Sequence, residues 1–511
     1  MSKHLFKSAL TVGSMTFISR VLGLLRETVF AIVFGATAQM DAFLVAFKIP
    51  NFMRRLFAEG AFSQAFVPVL SDAKTKYDEE SVKLLISHVA GLLGLVVFVF
   101  SVFGMIFSWG FVFIFAPGFW DHPEKFYLTE SMLRIMFPYL FFIAMTALAG
   151  GVLNSYSRFW VPSFTPTLLN IVMIAVTLFA AHRFVHPEIA VAWGVSLAGL
   201  IQLLFQLPFL YQMGLLTWPK IVSKKHRHPG VGRILKLMVP AIFGASVVQI
   251  GLLIDTLFAS FLQTGSVSWL YYSDRLMQFP LGVFGVALGT VVLPHLSSMH
   301  AKSDHEKFNG SLNWALKLVV IFALPAAVGL AVLARPMVET IYQYGKFSAH
   351  DANNTALALM VLSFGLFFFI AVKVLVSAFY SRQNTKTPVK IAACALVINI
   401  ILNCFLIYPL AYLGIALATV FASVFNVMVL LFLLHRQKIL VLDLRWLRVV
   451  LSVLIAVVAM WLVLYLLIKN ENFLAMHLLS RMGHLSLLLA IGAVIYLGIL
   501  WLLGVHRCLS N

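Results

Sequence analysis

Apolar stretches of about twenty residues or more recur along the whole chain, broken by short polar loops. A helix of that length crosses the hydrocarbon core of a bilayer while satisfying its own backbone hydrogen bonds, so such stretches read as membrane spans. Composition agrees. Of 511 residues, 61% are hydrophobic and 11% charged, with a mean hydropathy of +0.96. Soluble domains run near half apolar and a quarter charged, and disorder needs low hydrophobicity, so both are excluded. The chain is expected to be an all-α polytopic membrane protein.

About fourteen transmembrane helices are expected, with cores at 8–33, 39–70, 84–115, 128–154, 162–181, 189–212, 233–262, 268–298, 312–342, 354–380, 389–410, 412–434, 446–468 and 483–505. The first, second and eighth carry charges that weaken their hydropathy. Lys3, His4 and Lys7 precede the first stretch as in a signal peptide, but no small-residue cleavage site follows and Arg20 interrupts it, so an uncleaved span is expected. Alternate loops carry 22 basic residues on one side and 5 on the other, which places both termini in the cytoplasm. That asymmetry accounts for the net charge of +18 as a topology signal facing acidic membrane lipids, and it removes the main support for nucleic-acid binding. Six of these basic residues lie in the 220–236 segment, which reads as a cytoplasmic connector rather than a site. Cys394, Cys404 and Cys508 have no metal-like or disulfide-like spacing.

A weak duplication lies beneath this pattern. Pro68-Val69-Leu70-Ser71 matches Pro294-His295-Leu296-Ser297, and Tyr156-Ser157-Arg158 matches Tyr380-Ser381-Arg382, with Pro162 and Pro388 following; the offsets are 226, 224 and 226. Six helices per repeat put the two halves parallel in the membrane, an arrangement common in transporters with a site between the halves. The expected organisation is an N-lobe at 1–219, a C-lobe at 220–440 and a C-terminal helix pair at 441–511. The two six-helix lobes would surround a central cavity.

Charges within spans survive by facing a wet cavity or by pairing inside the bundle. Arg20, Arg26 and Glu27 lie on the first helix; Asp41, Lys48, Arg54, Arg55 and Glu59 on the second; Asp274 and Arg275 on the eighth. Asp41 and Lys48, seven apart, share a helical face, and Arg55 and Glu59, four apart, are placed to pair. Six cations against four anions leave a surplus of two positive charges for an anionic ligand. Arginine's planar fork suits phosphate oxygens. The competing reading is that these groups neutralise one another as structural salt bridges.

At these positions the sequence resembles the MurJ (MviN) family of lipid II flippases, within the multidrug/oligosaccharidyl-lipid/polysaccharide exporter superfamily. The resemblance rests on SRVLGLLRE (Ser19–Glu27), MDAFLVAFKIPNFMRRLFAEGAFSQAFVP (Met40–Pro68), SVSWLYYSDRLMQFPLGVFGVALGTVVLP (Ser266–Pro294) and YSRQNTKTPVK (Tyr380–Lys390), and runs from about residue 5 to 440. It implies transport rather than enzymatic chemistry. The implied cargo is lipid II, the undecaprenyl-diphosphate-linked disaccharide pentapeptide of peptidoglycan biosynthesis, moved from the cytoplasmic to the periplasmic leaflet of the bacterial inner membrane by alternating access. It further implies that Arg20, Arg26, Arg54 and Arg275 bind substrate, with Asp41 and Glu59 near the cavity and gate. Lys48, Arg55, Glu27 and Asp274 are assigned to the same charged cavity.

The nearest rival is a cation-coupled exporter of another polysaccharide-lipid or drug; cationic drugs would favour a negative cavity. A lipid-linked transferase would need a base or metal cluster, and no HExxH, Asp-rich metal motif or phosphate loop is present. No organic cofactor is expected. Asp255 on the seventh helix and Asn399 and Asn403 on the eleventh offer oxygens of the kind a hard cation takes. Some family members carry a sodium site there; the alternative is an Asp255 satisfied by hydrogen bonds. Gly285 and Gly289 form a small-xxx-small pair read as packing within the chain, and a monomer is expected.

Overall fold

The computed structural model describes residues 3–55, 61–223, 227–302, 304–441, 445–469, 471 and 473–505. Those residues form helices and no strand. In order they are α1 (Lys3–Phe34), α2 (Ala38–Arg54), α3 (Ala61–Lys76), α4 (Glu79–Ile106), α5 (Ser108–Phe115) and α6 (Pro123–Met136). There follow α7 (Pro138–Ser155), α8 (Trp160–Ala175), α9 (Pro187–Gln212), α10 (Pro229–Ser260), α11 (Ser266–Pro280) and α12 (Val286–Ala301). The chain closes with α13 (His305–Val332), α14 (Ala334–Ile341), α15 (Ala349–Tyr380), α16 (Lys386–Arg436), α17 (Arg445–Ile468) and α18 (Leu478–Leu502).

Local chemistry sets many of these boundaries. Prolines 123, 138, 187 and 229 stand at helix starts, where a missing N–H leaves no bond unmade. Thr37 caps α2, and Ser348 with Asp351 forms a capping box on α15. Long α16 spans 51 residues, about 77 Å at 1.5 Å per residue, far more than one crossing needs. It breaks at Ala411, whose φ of 48° lies where L-residues are uncommon. The two limbs run back along each other so closely that a Cβ on Gly414 would lie 2.3 Å from the Leu406 carbonyl oxygen. These limbs are the expected eleventh and twelfth spans.

Nine helical segments among the described residues are long and apolar enough to cross a membrane, α16 being one of them with its two limbs. The charge-bearing α1, α2 and α11 are not among them. The protein is a multi-pass helical membrane protein.

The repeat is plain in the element lengths. Helices α1 and α10 each have 32 residues, α4 and α13 each have 28, and α5 and α14 each have eight; every pair starts 226 residues apart. Packing groups the chain differently. It forms two compact units, Met1–Val267 and Ser268–Asn511. Sequence placed α10 with the second lobe, at a boundary of 219/220, whereas α10 packs along α3 and touches α2, α4 and α5. Nor do α17 and α18 stand apart, since both pack on the second unit. Val449, Val453 and Leu464 share a core with Val320 and Leu333; Tyr496 donates to the Ile321 carbonyl at 2.6 Å; and Trp446 donates to Asn313 Oδ1 at 2.6 Å. Gly285 faces Lys373 of α15, within the chain.

In the first unit, Phe62, Phe66, Leu85, Val89, Val152 and Leu153 form the core between α3, α4 and α7. Connector residues join it: Leu215 is buried there, and His228 stacks edge-on against Tyr77 and caps α10 by accepting the Gly230 N–H at 3.1 Å. Burial, and secondarily the nearby His88, hold the His228 imidazole below its ordinary pKa, which keeps that acceptor nitrogen unprotonated.

Candidate functional site

The residues singled out in the sequence, Glu59 apart, fall on α1, α2, α10, α11 and the first limb of α16. Arg20 is half-buried on α1, one residue beyond Ser19, whose carbonyl accepts from Asn170 of α8 at 3.0 Å. Arg26 and Glu27 are buried, at 6% and 1% exposure, and pair with each other. The Arg26 guanidinium also reaches Met173 Sδ at 3.8 Å and lies 5.8 Å from the Phe30 ring centroid. Charge compensation by a sequence neighbour makes this pair part of the unit's interior.

Asp41 is fully buried at the start of α2, where its Oδ2 accepts from Lys125 Nζ at 3.0 Å and from the Gly265 N–H at 2.8 Å. The Lys125 ammonium also lies 4.2 Å from the Phe119 ring centroid. Lys125 is one of the five basic residues that the loop count puts on the outer side; α6 instead starts at Pro123 and carries its side chain inwards, 8% exposed. Lys48 Nζ donates to Thr256 Oγ1 of α10 at 2.7 Å, and Arg55 donates to Gln249 Oε1 of α10 at 3.2 Å. Arg54 holds Asn51 Oδ1 with two donors, at 2.9 and 2.7 Å, and is half-buried. Glu59, and with it the expected pairing to Arg55, lies outside the described residues.

In the second unit, Arg275 is half-buried on α11, its guanidinium 4.8 Å from the Tyr271 ring centroid and 3.4 Å from Gln278 Oε1. Gln278 in turn donates to Asp274, so one glutamine bridges two adjacent charges that point in different directions. Pro280 ends α11, and a single wide turn at Leu281–Gly285 carries the chain into α12. Asn399 and Asn403 are buried on the first limb of α16. Asn403 donates to Asn399 Oδ1 at 3.2 Å, and Asn399 donates to Thr419 Oγ1 of the returning limb at 3.4 Å. Thr419 was not a sequence candidate. Its signal was the antiparallel return of the two limbs, which sets a polar residue 20 positions on opposite Asn399. Asp255 is half-buried on α10, next to the Thr256 that Lys48 holds. Among the described residues no group of three His, Cys, Asp or Glu side chains is placed to hold a metal ion.

Duplicated helical halves in a multi-pass membrane protein, with charged side chains buried on α1, α2 and α6, define the class: a polytopic transporter of internally repeated architecture. The family model described as "Lipid II flippase MurJ" matches residues 30–484. A protein from Vibrio cholerae described as a probable lipid II flippase MurJ is 45% identical over 444 residues, covering 86% of this chain and 84% of its own. The lipid II flippase MurJ of Burkholderia cenocepacia is 42% identical over 437 residues, covering 85% of each. A solved structure of lipid II flippase MurJ in an inward closed conformation superposes with a TM-score of 0.81 at 27% identity, covering 98% of this chain and all of that one. An inward-facing multidrug resistance MATE transporter of the MOP superfamily shares the fold alone, at a TM-score of 0.69 and 14% identity over 84% of this chain and 98% of that one. This chain belongs to the lipid II flippase MurJ family, a family of transporters rather than of enzymes.

Proposed function

We propose that the protein flips lipid II from the cytoplasmic to the periplasmic leaflet of the bacterial inner membrane by alternating access, as a monomer with both termini in the cytoplasm. Family membership carries the cargo: relatives sharing 42–45% of their residues with this chain bear that activity in their descriptions. The residues support a diphosphate ligand. Arg20, Arg54 and Arg275 are half-buried guanidiniums on α1, α2 and α11, placed neither in bulk water nor deep in the core. Arg20 and Arg275 come from different repeats, so each half supplies a guanidinium suited to phosphate oxygens. Arg26 takes part in this scheme only by exchanging Glu27 for phosphate oxygens. The exporter alternative has the shared fold behind it and no cavity feature of its own.

A cysteine pair introduced at Ser71 and Ser297, at the cytoplasmic ends of the second and eighth spans, is expected to arrest lipid II transport when bridged and to release it on reduction. Unchanged transport with the bridge in place would contradict alternating access.

The proposal extends to a sodium ion. Asn399, Asn403 and Thr419 of the second unit offer neutral oxygens of the kind a hard cation takes, and Asp255 of the first unit is a carboxylate of the same hard type. Sodium would supply a charge whose binding biases one conformation over another. Thermal unfolding of the purified protein should shift upwards in sodium relative to potassium, and Asp255→Asn should remove the difference. A wild-type protein indifferent to the exchange would end this part of the proposal.

A further inference from the structure

Two histidines join the start of α10 to α4, and each accepts a main-chain N–H. The Gly230 N–H donates to His228 Nδ1 at 3.1 Å, so the His228 imidazole carries its proton on Nε2, which lies 3.2 Å from Ser81 Oγ of α4. The His228 N–H in turn donates to His88 Nδ1 of α4 at 3.1 Å, which puts the His88 proton on Nε2 as well. Both imidazoles are buried, at 8% and 5% exposure. Tyr77, just beyond α3, closes one side with its ring edge-on to His228, centroids 5.5 Å apart. The fit is close: a Cβ on Gly230 would meet Leu85 of α4 at 2.9 Å.

An imidazolium has no acceptor nitrogen. Protonating His228 Nδ1 sets a donor against the Gly230 N–H, and it places a positive charge at the N-terminus of α10, where the helix dipole opposes it. Protonating His88 Nδ1 sets a donor against the His228 N–H. The surrounding groups do not offset such charge. His88 and His228 face one another, Lys220 and Arg227 of the connector add positive charge near His88, and Tyr77 and Ser81 are neutral. Asp78, Glu79 and Glu80 at the start of α4 are exposed, with Glu79 paired to Lys83, and Arg233 of α10 pairs with Asp72 of α3.

The same connector is tied to α4 a second time. Ser87 Oγ donates to the Trp218 carbonyl at 2.6 Å, and the Lys220 N–H donates to the Ser87 carbonyl at 3.1 Å. Neither bond contains a group that titrates near neutral pH.

We propose that His228 and His88 form a proton-operated latch: neutral imidazoles hold the first turn of α10 to α4, and protonation releases it while the Ser87 attachment stays. The sign follows from burial, which with the nearby His88 holds His228 below the ordinary histidine value while the latch is closed. The closed form is favoured above about pH 6.5. Below that value, each pH unit favours release by up to about tenfold for each proton taken up. The latch acts on α10 independently of what the protein transports.

Hydrogen–deuterium exchange of the full chain in detergent, corrected for the intrinsic pH dependence of amide exchange, reads the latch directly. Between about pH 7.5 and about pH 5.5, exchange at the His228 and Gly230 amides should rise at least about tenfold, while the Lys220 amide and α7 keep their protection. His88→Asn combined with His228→Asn puts a non-titrating amide oxygen in place of each Nδ1, and asparagine is a favoured N-cap. That variant should exchange slowly at both pH values. His228→Asn alone should already flatten the response at Gly230. Equal exchange at both pH values in the parent protein would overturn the proposal. So would a rise that the double variant retains, or one shared by α7, the mark of general unfolding.

Discussion

Arg20→Ala and Arg275→Ala variants, purified and normally folded, should each bind lipid-linked diphosphate at least about tenfold more weakly than the parent protein. A charge-assisted hydrogen bond contributes about 1.5–3 kcal/mol, and about 1.4 kcal/mol corresponds to one decade of affinity. Both side chains are half-buried, so the contact forms where water competes incompletely. Arg→Lys keeps the charge and loses the planar fork, so it should remain impaired wherever the contact is bidentate. Arg26 should show another signature. Its removal strands a buried Glu27 carboxylate, so Arg26→Ala should lose thermal stability, and adding Glu27→Gln should restore it. Wild-type affinity in all three alanine variants would sink the arginine assignment.

The second large effect concerns stability. Lys125→Met should destabilise the protein by about 3–5 kcal/mol, the range seen when one partner of a buried ion pair is removed and the other charge is left uncompensated. Asp41 and Lys125 are 1% and 8% exposed, and Asp41 also holds the Gly265 N–H. Adding Asp41→Asn to Lys125→Met should recover most of the loss, because asparagine still accepts from Gly265 without a charge to compensate. Equilibrium unfolding in detergent measures both variants. Equal stability of Lys125→Met and the parent would show that the pair contributes nothing.

That pair shows where sequence reading stopped. Asp41 was legible as a charge too deep to stand alone, and seven-residue spacing set Lys48 on its helical face. Its partner Lys125 lies 84 positions away, on a helix that begins earlier than its hydropathy indicates. Spacing reports neighbours on one helix; it says nothing of which two helices meet. Lys48 was likewise legible as a charge within a span, whereas its bond to Thr256 depends on α10 packing beside α2.

Hydropathy determined the all-helical, multi-pass class, because the bilayer accepts little else. The 226-residue offset, read from three short matches, also anticipated a doubled architecture that the paired helix lengths of 32, 28 and eight residues display. The site residues were nominated by a purely energetic argument: charge is costly in lipid and is retained only for a reason. Tertiary structure alone decided which of those charges are compensated inside a unit, that Thr419 joins Asn399 and Asn403, and that α10 belongs with the first unit. Such choices turn on side-chain packing between helices remote in sequence, where all apolar faces look alike to hydropathy and only shape and polar complementarity distinguish one partner from another.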